Sequence, residues 1–567
     1  MIEIGALKFR TLNIERLSVP NGITCIIGEN GSGKSTLARL LCGYYEAKTG
    51  SVIADGVPVR SLDTGYVPEF FDNGIIFENV ADEITSPLRF AFEDNATISD
   101  RLNAAAERLG IEDLLGKETE NISGGEKACV ALATAIISSP RILVLDEPDS
   151  HLDRKTSERI MAALKKLHTA GAENKSRRTS GIPYMINCTQ NTDIAADADF
   201  VIFMEDGRAV YSGTPTAVFE ELKQQNSPFL PTPMRIDAAL EKVANSADTA
   251  NANTPSAATA ANAVNAATDT ATPTANAATE NCSGITPKLE LKGLKVSRGS
   301  FTLNADAVFE SGVHIITGDT GSGKSTLAYA LSESGLANAA GDITFAGIEK
   351  RVFLMQFAAY HITETTVEDE IISWGKSPEA TENLLKYLGL SEKRKSDPAK
   401  LSAGELKKLH LACILSGDAD LIILDEPFST LDIAGKEAFA SCRQFADAQS
   451  RRPRIIIIFT HEKTVLPHAD FIWEITDDKL CYLGKASDTR ALRDWDGAPE
   501  YIRYALSKGA VLKDVGFGDA VCAVNAIERH GITGHENTKH ETAGHDGTEH
   551  DCAEHGGKSP SDKEERP

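Results

Sequence analysis

Residues 28–36 read GENGSGKST, and residues 318–326 read GDTGSGKST. Each run follows an apolar stretch, Ile23–Ile27 or His314–Thr317, and precedes a segment of helical character, ARLLCGYY or AYALSESG. In that setting GxxxxGK[ST] is the phosphate-binding Walker A loop. Gly28, Gly31 and Gly33, with Gly318, Gly321 and Gly323, let the backbone wrap a phosphate without side-chain clashes. Asn30, Ser32 and Thr36 complete the first loop, and Thr320, Ser322 and Thr326 the second. Successive N–H groups and a helix N-terminus attract negative charge there. Lys34 and Lys324 are placed for the β- and γ-phosphates, and Ser35 and Ser325 for Mg²⁺.

The loops belong to a larger repeat. ILVLDEPDSHLD spans 142–153, and LIILDEPFSTLD spans 421–432. Upstream of these lie ISGGEK, from Ile122, and LSAGEL, from Leu401. Ser123 precedes Asp146 by 23 residues and Ser402 precedes Asp425 by the same 23, so order and spacing are shared. Asp146 and Asp425 end apolar runs in position to hold Mg²⁺ through water, and Glu147 and Glu426 follow to polarise an attacking water. The chain reads as a tandem duplication of a mostly parallel α/β domain.

At 567 residues the chain is long enough for two cores. The expected domains are 1–240 and 287–519. Between them, 30 of the 40 residues from Ala244 to Ser283 are Ala, Thr or Asn, so 241–286 reads as a disordered linker spanning roughly 35 Å. Residues 520–567 read as a disordered, His-rich tail. The net charge of −24 argues against nucleic acid as the main partner. The apolar run Ile455–Phe459 falls far short of the ~20 residues of a membrane helix, and MIEIGALKFR has no signal-peptide core. Ten scattered Cys without a CxxC pair read as buried free thiols in a reducing compartment.

Walker A, the Ser-Gly element, the Asp-Glu strand end and the SHLD and STLD segments together resemble ATP-binding cassette (ABC) ATPases. The resemblance covers both halves, without the linker and tail. It implies two P-loop NTPase domains, each with a mostly parallel sheet, an antiparallel β subdomain and a helical subdomain. ATP and Mg²⁺ are the implied ligands, with two nucleotides sandwiched head to tail between the domains. Ser123, Gly124 and Gly125, and likewise Ser402 and Gly404, would then contact ATP held by the opposite P-loop.

The glutamine-loop segments MQFAAYHITETTVEDEII (355–372) and PEFFDNGIIFENVADEI (68–84) resemble those of energy-coupling factor ATPases, as does SGTPTAVFEEL followed by LPTPMRIDAALEKV. This resemblance implies a peripheral ATPase on the cytoplasmic face of the membrane. It would dock on a transmembrane coupling subunit and serve a substrate-binding membrane protein for a transition metal (cobalt or nickel) or a vitamin. The alternative is a soluble tandem ATPase acting on ribosomes or nucleic-acid complexes. Such proteins usually carry a charged linker or a cysteine-rich module, and this chain has neither.

The copies differ where the family places its catalytic groups. Gln356 and His461 stand at the glutamine-loop and switch positions of the second copy, with Glu69 and Gln190 opposite them in the first. The resemblance gives Gln356 a contact to Mg²⁺ and to the attacking water. Assembled head to tail, one site joins the second P-loop, Asp425, Glu426, Gln356 and His461 with Ser123, Gly124 and Gly125. The other joins the first P-loop, Asp146, Glu147, Glu69 and Gln190 with Ser402, Ala403 and Gly404. A carboxylate at 69 binds Mg²⁺ but donates no hydrogen bond, and Gln190 cannot change protonation. The second site is therefore expected to hydrolyse ATP and the first to be impaired.

In the tail, His530, His535, His540, His545, His550 and His555 recur every five residues among acidic neighbours. Neutral imidazole suits Ni²⁺, Co²⁺, Zn²⁺ and Cu²⁺, so His535, His540, His545 and His550 are candidate ligands for a loosely held transition metal. Titration with Ni²⁺ is expected to show binding by the full chain that a chain ending before His530 lacks. Identical isotherms would refute a metal-binding tail.

Overall fold

The structure is a computed structural model that describes residues 1–69, 71, 74–148, 154–173, 181–248, 286–298, 301–319, 321–442 and 453–536. The SHLD segment 150–153, Thr320, the linker from 249 to 285 and the tail from 537 onward lie outside the described residues. With the tail go His540, His545, His550 and His555.

The first copy opens on an antiparallel layer of β1 (Ile2–Phe9), β2 (Leu12–Val19), β4 (Thr49–Ala54) and β5 (Val57–Pro58), in the order β2-β1-β4-β5. Alternating burial along β1 and β2 marks one covered face. The central sheet comprises β3 (Gly22–Gly28), β6 (Thr64–Val67), β7 (Ile142–Asp146), β8 (Tyr184–Cys188), β9 (Phe200–Glu205) and β10 (Arg208–Gly213). Its order is β10-β9-β3-β8-β7-β6, and every pair is parallel except β9 with β10. Strands β3, β7 and β8 are buried along their whole length, which is why they read as unbroken apolar runs.

The second copy repeats this plan in one nine-stranded sheet. Its strands are β11 (Lys288–Arg298), β12 (Phe301–Phe309), β13 (Gly312–Gly318), β14 (Asn338–Ala346), β15 (Arg351–Leu354), β16 (Leu421–Asp425), β17 (Ile455–Phe459), β18 (Phe471–Thr476) and β19 (Lys479–Lys485). Their order is β14-β11-β12-β19-β18-β13-β17-β16-β15. Strands β13, β15, β16, β17 and β18 run parallel.

Two helices correct the expected boundaries. One runs from Thr232 to Asp248, past residue 240, and another from Phe517 to Glu536, past residue 519. In the second, Ala520, Val521 and Val524 are buried in the core of the second copy. Phe517, Ala520, Val521, Val524 and Ile527 recur at helical spacing, a short apolar stripe ahead of the histidines. The tail therefore begins later than the histidine-rich composition suggests, and His535 falls in the last turn of this helix.

The copies pack against each other. Ile236 joins the core of the second copy, and Ile433 joins a core cluster of the first. Arg235 is 8% exposed; it donates to Glu437 Oε1 (3.1 Å) and to the Thr464 carbonyl (3.2 Å), and its guanidinium lies 4.1 Å from the Phe517 ring centroid. Arg235 is buried but Glu437 is 36% exposed, so loss of this charge-assisted hydrogen bond costs about 2 kcal/mol. Arg235→Ala is therefore expected to separate the thermal unfolding of the two halves while leaving each half folded, as calorimetry would show. A single unshifted transition would remove Arg235 from the interface energetics.

Candidate functional site

The functional side chains gather because adjacent parallel strands end on a common line. Asp146, the last residue of β7, pairs with Cys188 of β8, and Cys188 pairs with Ile26 of β3. β8 thus ends between the P-loop and Asp146, and Gln190 follows two residues later. Val67 of β6 pairs with Leu145, which places Glu69 at the same edge. The second copy matches strand for strand. Asp425 pairs with Phe459, Phe459 with Ile316 and Leu354 with Leu424, and His461 and Gln356 each follow a strand by two residues.

Both P-loops require glycine. Gly33 and Gly323 sit at φ +100° and +95°, and a Cβ there would come within 2.6 Å of Leu12 and 2.4 Å of Phe301. Lys34 Nζ donates to the carbonyls of Gly28 and Glu29, both at 2.9 Å. Lys324 Nζ donates likewise to those of Gly318 (2.7 Å) and Asp319 (3.0 Å). Ser32 Oγ and Ser322 Oγ are buried without a hydrogen-bond partner. Both oxygens of Asp425 and Oδ1 of Asp146 are in the same condition. A buried carboxylate without a partner is costly, and a divalent cation with its water would satisfy it. The residues present therefore fit Mg²⁺, held through Asp425 and Ser325 in one copy and Asp146 and Ser35 in the other.

Glu147 and Glu426 share a strained backbone, at φ +50° and +47°. The N–H of each donates to the end of the neighbouring strand, at Cys188 and Phe459 respectively. Glu426 Oε1 lies 2.6 Å from His461 Nδ1, and Oε2 accepts from Thr460 Oγ1 at 3.2 Å. Burial opposes the charge of Glu426, yet His461 and then Lys324 hold its carboxyl below the usual range. Burial, and then Glu426, push Asp425 up to about 6. A base kept ionised beside an imidazole is equipped to order a water and take its proton.

The first copy is built differently. Gln190 Nε2 donates to Glu147 (3.2 and 3.3 Å) and to Asn30 Oδ1 (2.9 Å), and Asn30 Nδ2 donates across the interface to the Thr430 carbonyl at 3.0 Å. Asp146 Oδ2 accepts from Tyr66 OH (2.9 Å) and from Arg39 (3.3 Å). The second copy has Phe353 and Tyr329 at these two places. Burial, followed by the charges of Glu147 and Asp146, pushes Glu69 up to about 7.

Across the interface a cleft of about 750 Å³ is lined by Ile122, Ser123 and Glu126 on one side. Gly321, Lys324, Ser325, Gln356, Glu426 and His461 line the other. A Cβ on Gly321 would stand 3.2 Å from Ser123 Cβ. Of the residues expected in the second site, Ser123, Lys324, Ser325, Gln356, Glu426 and His461 line this cleft, whereas Asp425, Gly124 and Gly125 are not part of its lining. At the first P-loop, Ser402 and Ala403 are exposed, and nothing lies within 4 Å of a Cβ placed on Gly31. Ser123 and Ser402 each cap a helix, Gly124–Ile136 and Ala403–Leu415, through a capping box with Glu126 and Glu405. Motif reading missed Arg39, Tyr66 and the bridging role of Asn30. The available signal was a position-by-position comparison of the two copies, which sets Arg39 against Tyr329 and Tyr66 against Phe353.

The sequence profile of the family described as "ABC transporter" matches residues 13–150 and 305–429. An energy-coupling factor transporter ATP-binding protein, EcfA1, of Latilactobacillus sakei subsp. sakei is 30% identical over 262 residues, covering 43% of this chain and 89% of that protein. A putative ABC transporter ATP-binding protein of Sulfurisphaera tokodaii is 25% identical over 526 residues, 86% of this chain and 96% of that protein. Among solved structures, one titled RNase-L Inhibitor superposes with a TM-score of 0.55 at 18% identity, covering 87% of this chain and 92% of that one, a likeness of fold.

His461→Gln gives the second copy the residue of the first. The substitution keeps a hydrogen-bond donor to Glu426 but removes the imidazole. Single-turnover hydrolysis of Mg-ATP is expected to slow about 10²-fold with nucleotide affinity unchanged. Unaltered turnover would show that the imidazole is dispensable.

Proposed function

The chain belongs to the ABC transporter family of ATP-binding proteins, with two cassettes in one polypeptide, and from that premise we propose that it energises an energy-coupling factor importer through one hydrolytic and one impaired ATP site. ABC ATPases bind ATP, generally with Mg²⁺, hydrolyse it and work with transmembrane components. No helix among the described residues is long and apolar enough to cross a membrane.

The observation that carries the reading is the cleft in which Ser123 of one copy faces Lys324, Gln356, Glu426 and His461 of the other. In this reading the domains pair head to tail within the chain. ATP lies between the second P-loop and Ser123-Gly124-Gly125, Asp425 and Ser325 hold Mg²⁺, and Glu426 acts as base with His461 beside it. The first site retains Lys34, Asp146 and Glu147 for binding. There Gln190 ties up Glu147, and Arg39 and Tyr66 occupy one oxygen of Asp146.

Exposed apolar side chains near the two glutamine-loop segments support docking on a membrane partner. They are Ile76, Phe90 and Phe92 in the first copy and Phe357, Tyr360 and Ile372 in the second. The similarity to EcfA1 supports the importer type, and a vitamin or transition metal would be the cargo. The net charge of −24 disfavours the soluble, nucleic-acid-directed alternative.

Equilibrium binding is expected to give two Mg-ATP per chain, falling to one in Lys34→Ala and in Lys324→Ala. Glu426→Gln should lower turnover by ~10²–10⁴-fold, whereas Glu147→Gln should leave a substantial fraction. Equal losses would refute the asymmetry. In native membranes, Phe92→Glu combined with Phe357→Glu should release the chain from the membrane fraction. Turnover stimulated by ribosomes and indifferent to membranes would overturn the transport reading.

A further inference from the structure

From the end of β6 or β15 to the next helix, the two copies align without a gap. Glu69 stands opposite Gln356, Gly74 opposite His361 and Glu83 opposite Glu370. One clamp is common to both. Glu83 Oε2 accepts from the N–H groups of Ile76 (2.8 Å) and Phe77 (2.9 Å). Glu370 Oε2 accepts from those of Thr363 (2.9 Å) and Glu364 (3.0 Å). A buried glutamate thus fixes the far end of each loop.

The near end of the second loop has a further anchor. Lys407 Nζ donates to the Gln356 carbonyl at 2.7 Å and to the Met355 carbonyl at 3.3 Å. The Met355 N–H donates to His361 Nε2 at 2.8 Å. The His361 ring meets His410 edge-on at 5.7 Å, and His410 Nε2 lies 3.2 Å from Glu370 Oε1. Lys407, His410 and Glu370 are 1%, 0% and 0% exposed. At the places of Lys407 and His410 the first copy has Ala128 and Ala131, whose methyl groups cannot hydrogen-bond.

A buried ammonium is tolerated only where partners repay its desolvation. Here those partners include the backbone of the loop that carries Gln356. Lys407 belongs to the helix Ala403–Leu415, which Ser402 caps. One rigid helix therefore carries, at its start, the serine assigned to nucleotide on the first P-loop. Five residues later it carries the amine that fixes the backbone of Gln356 in the second site.

We propose that Lys407 is a positioning residue through which nucleotide held between the first P-loop and Ser402 sets the placement of Gln356 in the second site. The proposal rests on the head-to-tail pairing proposed above. When nucleotide draws Ser402 inward, the helix moves as a unit and takes the Gln356 backbone with it. At the place of Lys407 the first copy has Ala128, whose methyl offers no such donor to the loop carrying Glu69. The Lys407 route therefore links the first site to the Gln356 loop of the second, with no lysine counterpart at Ala128.

Hydrogen exchange on the full chain tests this. In Lys324→Ala, Mg-ATP binds only at the first P-loop, and exchange across 355–364 is expected to slow about threefold or more. Lys324→Ala combined with Lys407→Met should lose that slowing while still binding one nucleotide. In Lys34→Ala, nucleotide on the second P-loop should leave 74–77 unchanged. No slowing at 355–364 with the first site filled, equal slowing without Lys407, or slowing at 74–77 would overturn the proposal. In turnover, Lys407→Met should lower kcat about tenfold with little change in KM, the weight of one charge-assisted hydrogen bond. Adding Lys34→Ala should then cost nothing further; multiplying losses would overturn the coupling. Equal losses from Glu147→Gln and Glu426→Gln would refute the site asymmetry alone, because the exchange result does not depend on which site hydrolyses. If Lys407→Met fails to fold, the Lys324→Ala and Lys34→Ala chains still decide, since both retain Lys407.

Discussion

Parallel pairing of neighbouring strands is the constraint on which both sites depend. In each copy the strands before the P-loop, the acidic strand end, the glutamine loop and the switch residue lie side by side and end on one line. Parallel strands stand about 4.8 Å apart. Groups one or two residues past that line therefore fall within reach of a single phosphate and its metal. This is the general position of ligand sites in open α/β sheets. The long apolar runs are the condition for it, since a strand covered on both faces keeps a fixed register and holds its end in place. The left-handed backbone at Glu147 and Glu426 follows from the same geometry, because the chain turns sharply while its N–H still bonds to the adjacent strand.

The differences between the copies are electrostatic. Asp425 is buried with Ser325 beside it and with neither Arg nor Tyr on its oxygens, which leaves it open to a cation. Asp146 shares one oxygen with Arg39 and Tyr66, so a cation at that place meets a carboxylate already partly neutralised. Glu426 faces an imidazole that stabilises its charge, whereas Glu147 faces a neutral amide. An imidazole can take up a proton and return it, and an amide can only hold the carboxylate in place. On the proposed reading, these substitutions favour retention of nucleotide in the first site and reaction in the second.

Much of this was legible in the sequence because the decisive contacts are local. GENGSGKST and the DEP strand ends carry their chemistry within a few residues, and the repeat in motif order and spacing exposed the duplication. Contacts made by folding were not legible. Arg39 reads as an ordinary helix residue until β7 brings Asp146 beside it. Lys407 belongs to no motif, and its role shows only where the loop at Met355–Gln356 closes over it. Asn30 reads only as part of the phosphate-binding loop until Thr430 of the other copy meets it. The helix Phe517–Glu536 was obscured because its apolar stripe is short and runs directly into a histidine-rich composition.

Joining two cassettes in one chain also changes what each must retain. A pair that meets by diffusion depends on concentration, whereas a tether of some forty residues holds the partners at an effective concentration near millimolar. In the proposed head-to-tail pairing, each composite site draws residues from both copies, and the two sites need not be equal. One copy can retain the imidazole and glutamine while the other retains the intact Ser-Gly-Gly element. Both contributions fall in the same cleft, where Ser123 faces Lys324 and Glu426. Tethering thus makes it permissible for one site to specialise in holding nucleotide and the other in cleaving it.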